Sequence, residues 1–167
     1  MNIAIIHEWL NIYGGSERLL SEILGLYHQA DLHALIHNKQ NLIGTPLENR
    51  KVKTSFMQKI PRVEHLYRGL LPLMPFAIES MDVRKYPVVL SISHAVAHGV
   101  KTTQDQIHIA YVCMPMRYAW HLQDDYLHLH HLDKPIIGSA ARLTLSLLRR
   151  WDRESAFRAD HLLAISH

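Results

Sequence analysis

The segment Ile3-Ala4-Ile5-Ile6-His7-Glu8-Trp9-Leu10-Asn11-Ile12-Tyr13-Gly14-Gly15-Ser16-Glu17-Arg18 decides the fold. Its first four residues form an unbroken apolar run, the pattern of a parallel strand buried on both faces. Downstream, Leu19, Leu20, Ile23, Leu24 and Tyr27 recur at helical spacing, which predicts a helix from about Ser16 to about Tyr27. Gly14-Gly15 lies between them, and two glycines permit a sharp turn and close approach of backbone to a ligand. Ser16 is the expected helix cap, and Glu17 lies in the first turn at the positive end of the helix dipole. Strand, glycine loop and helix start together present free N–H groups suited to a phosphate. The spacing is neither Gly-x-Gly-x-x-Gly nor a P-loop, since no Lys-Ser/Thr pair follows. A Gly-Gly turn ahead of a helix also serves plain loop geometry, so both readings stand on these residues alone.

A chain of 167 residues is expected to form one domain with a real core, and the composition is ordinary for a globular protein. The formal charge of +3 is mildly basic, without the dense basic stripe of a nucleic-acid binder. Fourteen histidines would add positive charge in mild acid. Cys113 is the single cysteine, so no intrachain disulfide forms and a reducing compartment is natural. Ile3–Ile6 is too short for a secretory signal, and His7-Glu8 ends the run. The greasiest segment, Leu70–Ile78, is broken by Pro72 and Pro75 and is too short to span a bilayer.

Further along, Asp31–His37 alternates polar and apolar, predicting a strand with one wetter face. Asn38–Arg50 reads as a loop, Val52–Thr54 as a short strand and Phe56–Ile60 as one helical turn stopped before Pro61. Leu66, Leu70, Leu73 and Met74 could form a helical stripe, but Pro72 and Pro75 must break or kink it. The cations Lys51, Lys53, Lys59, Arg62 and Arg68 interleave with Phe56 and Tyr67. They form either a solvated basic face beside a core-packing helix or a surface that docks on anionic lipid. Val88–Ser93 and Ile107–Val112 read as buried strands. The first runs into Ser91-Ile92-Ser93-His94, a polar cluster where open α/β sheets place ligands, although His94 also fits a hydrogen-bonded structural histidine.

Asp124-Asp125 should start a short helical turn carrying His128, His130 and His131. These histidines lack the carboxylate or thiol spacing of a closed zinc site and read as polar surface. The longest helix is expected from about Ser139 to near Asp160. Its arginines 142, 149, 150, 153 and 158, partly offset by Asp152 and Glu154, read as a solvated face. Leu162–Ile165 is a last short strand. Alternating strands and helices, with several strands apolar on both faces, call for a mostly parallel sheet covered on both sides, a Rossmann-like α/β domain. Gly14-Gly15, Ser93-His94 and Cys113–Trp120 then converge at the carboxyl ends of the strands.

Several stretches resemble family 4 glycosyltransferases, in collinear order over essentially the whole chain. They are His7-Glu8-Trp9-Leu10 with Tyr13-Gly14-Gly15-Ser16-Glu17-Arg18, then Leu71-Pro72-Leu73-Met74-Pro75-Phe76-Ala77-Ile78-Glu79 and Ser91–Gly99. Pro115-Met116-Arg117-Tyr118-Ala119-Trp120, Trp151-Asp152 and Arg158-Ala159-Asp160-His161 fit the same pattern. The likeness is particularly to the mannosyltransferase-like branch of bacterial polysaccharide and O-antigen assembly.

The resemblance implies a GT-B enzyme, with two Rossmann-like domains facing a cleft. Such an enzyme transfers a sugar from a nucleotide sugar to a saccharide or lipid-linked acceptor with retention and without a metal. By position, Gly14, Gly15 and Ser16 would place N–H groups near the donor diphosphate, and His94 would be the catalytic-site histidine beside the transferred sugar. Ser93, Cys113, Met114, Arg117 and Tyr118 would line the sugar or acceptor pocket, with Arg117 either orienting a substrate or serving structure. GDP-mannose is the donor the branch implies, and the cytoplasmic side of a membrane the location, with peripheral contact to anionic lipid.

Cys113 stands where the family usually has histidine, and Met114 where it often has a small hydroxyl residue. The C-terminal domain that holds the nucleotide in this family lies outside these residues. The expectation is therefore an acceptor-side domain, inactive or nearly so alone, because half a cleft cannot close on its substrate. The alternative is a non-catalytic acceptor-binding or split half that works with a separate partner. A dinucleotide oxidoreductase is a third class, and it lacks its glycine fingerprint.

Overall fold

A computed structural model describes residues 2–120, 122–129 and 135–165, without the side chains at 118, 126, 129 and 135–137. The strands are β1 (Ile3–Leu10), β2 (Asp31–His37), β3 (Val52–Thr54), β4 (Val88–Ser93), β5 (Ile107–Val112) and β6 (His161–Ala164). They form one six-stranded sheet in the order β3-β2-β1-β4-β5-β6, and every pairing is parallel. The helices are α1 (Gly15–Leu26), α2 (Val63–Leu66), α3 (Met74–Glu79), α4 (Arg117–Trp120), α5 (Gln123–Leu129) and α6 (Pro135–Ala156).

The apolar run at the start explains why the sheet is covered twice. Successive strand side chains point to opposite faces. β1 therefore sends Ala4 and Ile6 into a core with Val63, Met74, Ile78, Leu145 and Leu148 of α2, α3 and α6. It sends Ile3 and Ile5 into a second core with Leu20 and Leu24 of α1. The result is the Rossmann-like α/β fold that the strand pattern predicts.

Several local expectations are corrected. β1 does not stop at Ile6: it continues to Leu10, and His7 and Glu8 lie inside it with no exposed surface. Gly14, not Ser16, occupies the cap position of α1, and its N–H is taken by Glu17 Oε2 at 2.9 Å. β2 has no wet face along its centre, because His33 is buried with Nε2 3.1 Å from the Tyr86 hydroxyl. The Glu64–Glu79 stretch breaks as the prolines demand, into α2, a 3-10 segment over Tyr67–Leu73 containing Pro72, and α3 with Pro75 near its start.

α6 begins at Pro135, earlier than the apolar stripe suggests, since proline suits a helix's first position. It ends at Ala156. Asp160 instead fastens β6 to β5, accepting from His108 N at 2.8 Å while its own N–H reaches His108 O at 2.9 Å. Two of the arginines read as a solvated face are structural ties. Arg149 donates to Ala119 O at 2.9 Å, and Arg158 donates to Gly99 O at 2.7 Å and pairs with Glu79 at 2.8 Å. His130 and His131 lie outside the described residues. Among the described residues, no helix is long and apolar enough to cross a membrane.

Candidate functional site

Strand order reverses between β1 and β4, where the chain leaves toward β2 on one side and β5 on the other. Ligands of open α/β sheets bind at such a switch point, beyond the carboxyl ends of the strands. A cavity of about 470 Å³ lies there. Gly15 and Ser16 of α1, His94 after β4, Cys113 and Met114 after β5, and Arg117 at the start of α4 all line it. Three separated stretches of sequence thus meet in one place.

Glu8 organises the floor. It sits near the end of β1, fully buried. Its Oε1 accepts from four consecutive backbone N–H groups, His94 at 3.0 Å, Ala95 at 2.9 Å, Val96 at 3.0 Å and Ala97 at 3.0 Å. The Ser93 hydroxyl donates to the same oxygen at 3.0 Å. Consecutive N–H groups of this kind form an anion nest, and here the protein's own carboxylate fills it. The other oxygen, Oε2, stands 2.9 Å from His94 Nδ1, an ion-pair contact rather than an aligned hydrogen bond. Burial pushes the Glu8 carboxyl up, but the charge of His94, the nearby His7 and the backbone N–H groups outweigh it and hold the group well below the usual carboxylate range.

His94 is walled in. The Trp9 ring meets it edge-on with centroids 4.6 Å apart, and the His7 ring lies 5.5 Å away. Burial lowers its pKa, yet the Glu8 charge overrides that and the net shift is upward. His7 goes the other way: burial lowers it, and both its ring nitrogens are buried without a hydrogen-bond partner, Nε2 lying 3.7 Å from Glu17 Oε1. The two histidines at one site thus shift in opposite directions, burial prevailing at His7 and the Glu8 carboxylate at His94. Donor atoms of His7, Glu8 and His94 all lie within 4.8 Å of one another, close enough in principle for a cation. A metal there would have to displace a proton from the Glu8–His94 pair.

The remaining predicted residues separate. Ser93 is buried beneath the cavity rather than lining it, its hydroxyl spent on Glu8 and on His98 Nδ1 at 2.9 Å. Gly14 likewise does not offer its N–H outward, because Glu17 holds it. Gly15 lines the cavity, and a Cβ placed there would meet nothing within 4 Å, so the space of the missing side chain is open. Burial, with Glu8 and Glu17 adding to it, pushes the Cys113 thiol up to about 11, so it stays protonated. The Tyr118 side chain lies outside the described residues.

No protein-family model, curated protein or solved structure matches the chain. The functional residue that sequence reasoning missed is Glu8. Its one local signal is a carboxylate inside an apolar run that resumes at Trp9-Leu10, since a strand buries such a charge only when donors wait for it.

Proposed function

We propose that this chain is the acceptor-side domain of a retaining, nucleotide-sugar-dependent glycosyltransferase of the two-domain kind its motifs resemble. The observation that carries the reading is the convergence of the stretches 13–18, 91–99 and 115–120 on one cavity at the switch point. Gly15 and Ser16 place the positive end of α1 against the donor diphosphate and stabilise the charge that develops as the nucleotide leaves. His94 lies beside the transferred sugar, where its second ring nitrogen meets a hydroxyl or phosphate oxygen. Arg117, exposed at the mouth, orients an anionic part of donor or acceptor. Cys113, a neutral thiol, supplies packing and neither charge nor base. GDP-mannose is the favoured donor and a lipid-linked saccharide the favoured acceptor, both from the branch resembled.

The test is a titration of the 15N-labelled chain with GDP-mannose, other nucleotide sugars and saccharide acceptors, beside a transfer assay. Amide shifts confined to Gly15, Ser16, His94 and Cys113, with little turnover, are expected. Silence at these residues with every sugar ligand overturns the glycosyltransferase reading, and robust turnover by this chain alone overturns the acceptor-side assignment. A second reading, a non-catalytic half that serves a separate partner, is favoured by the protonated Cys113 where the family usually has histidine. Restoring histidine with Cys113→His, and finding no transfer in the presence of a donor-side domain, would favour it.

A further inference from the structure

We propose that Glu8 is the positioning residue of the cavity, holding the His94 ring with a proton on Nδ1 so that Nε2 is the nitrogen offered to the ligand. The inference concerns the protein's own groups and holds whichever ligand fills the cavity.

The two oxygens of Glu8 do different work. Oε1 is saturated by the nest of residues 94–97 and by Ser93, which fixes the carboxylate to the loop that carries His94. Oε2 has only His94 Nδ1, at 2.9 Å. A carboxylate has no proton to give, so the nitrogen facing it carries one. The rings of Trp9 and His7 hold the imidazole in place. The carboxylate itself is braced from α6. Ser93 has one proton and gives it to Glu8, so it accepts from His98, whose Nδ1 lies 2.9 Å away. The far side of His98 lies 3.0 Å from the Ser155 hydroxyl and 3.3 Å from Asp152 Oδ1. A continuous chain thus runs from α6 through His98 and Ser93 to Glu8 and ends at His94.

The charges facing His94 agree with this assignment. Glu8 on β1 and Glu17 on α1 both favour its protonated form. Burial pushes the His7 pKa on β1 down, against the pull of Glu8 and Glu17, and Cys113 after β5 is a neutral thiol. Arg117 on α4 is exposed to solvent at the mouth, where water screens its opposing charge.

The experiment follows the histidine ring nitrogens of the folded chain by long-range 1H–15N NMR from about pH 5 to about pH 9, spanning ordinary histidine titration. In the wild-type chain, His94 Nδ1 should keep its proton throughout, Nε2 alone should titrate, and the midpoint should lie above that of an ordinary histidine. Glu8→Gln keeps a carbonyl oxygen for the nest but turns an amide donor toward Nδ1. The His94 midpoint should then fall below the ordinary value, and Nδ1 should lose its proton. A purely structural Glu8 would leave that midpoint unmoved. An unprotonated Nδ1 in the wild-type chain, or equal midpoints in both proteins, overturns the proposal. So does stoichiometric Zn²⁺ binding that shifts His7 and His94 together, because Nδ1 would then be a metal ligand. If Glu8→Gln does not fold, the wild-type ring spectrum decides alone.

Discussion

The indole of Trp151 fills the space in front of Gly99. A Cβ at Gly99 would stand 2.4 Å from both Cη2 and Cζ2 of that ring. The ring cannot swing away freely, since its Nε1 donates to Glu79 Oε1 at 2.7 Å. This contact seats α6 on the turn that follows the 94–97 loop, and so on the floor of the cavity. Gly99→Ala should destabilise the fold by about 1–3 kcal/mol, the range for overpacking a core. Urea unfolding followed by tryptophan fluorescence measures it, and an unchanged midpoint would show that the ring yields.

Glu79 is the acceptor hub beneath that contact, taking Trp151, Lys101 at 2.9 Å and Arg158 at 2.8 Å. Burial raises its pKa, but Lys101, Trp151 and Arg158 more than reverse this and bring it to about 2. A carboxyl depressed in the folded state contributes stability above its unfolded pKa, and that stability is lost as pH falls through the folded value. Wild-type stability should therefore drop between about pH 5 and about pH 2 more steeply than that of Glu79→Gln, with the two curves parallel above that window. Matched urea titrations at stepped pH test it, and identical acid slopes would remove Glu79 from the balance.

Gly15 separates stability from binding. Its φ is not positive and a Cβ there touches nothing. Gly15→Ala should leave stability unchanged or raise it by about 0.4–1 kcal/mol, through a less flexible unfolded chain. Under the proposed function the added methyl occupies space against the α1 N-terminus and weakens nucleotide-sugar binding. Calorimetric titration beside thermal melting distinguishes the two effects; loss of stability would mean that the glycine serves the fold instead.

Cys113 should be a sluggish thiol. With its pKa pushed up to about 11, it should alkylate with iodoacetamide at pH 8 at least about tenfold more slowly than a free thiol. Mass spectrometry of timed aliquots reads the rate. Fast labelling would indicate an activated cysteine and reopen a chemical role for it.

The segment from Lys51 to Ile78 both packs the core and leaves side chains outside. Met57, Val63, Tyr67 and Met74 are buried, while Phe56, Leu66 and Phe76 are 45%, 51% and 68% exposed in the same stretch as the exposed cations Lys59 and Arg62. If this face meets anionic lipid, the chain should sediment with anionic vesicles and not with neutral ones. Phe76→Ser and added salt should each weaken the association. Equal partitioning to both vesicle types would leave the segment a solvated face.

The strands were legible because apolar runs leave a local mark: Ile3–Ile6, Val88–Ser93 and Ile107–Val112 needed no information from elsewhere in the chain, although Ile107–Val112, read as a buried strand, buries only the face of His108 and Ala110 and leaves Ile107 exposed. The break around Pro72 and Pro75 was legible for the same reason, since a missing N–H acts within one turn. Glu8 was not. A carboxylate ending an apolar run looks like a strand end, and only donors 85 to 89 residues away make it a strand interior. The resemblance implies Ser93 in the sugar or acceptor pocket, but alternate side chains at a strand end part company, and its hydroxyl goes to Glu8 and His98.

By itself, then, the sequence determined the element types, the parallel sheet with two covers, and the three stretches that would meet at its carboxyl edge. Those follow from periodicity and from the backbone limits of proline and glycine, which are short-range. The tertiary structure alone decided the strand order, and with it that β1 and β4 lie side by side. That adjacency seats Glu8 in the 94–97 nest, shifts the pKa values of His94 and His7 in opposite directions and presses Trp151 against Gly99. Electrostatics and close packing depend on distances through space, which a linear pattern does not contain.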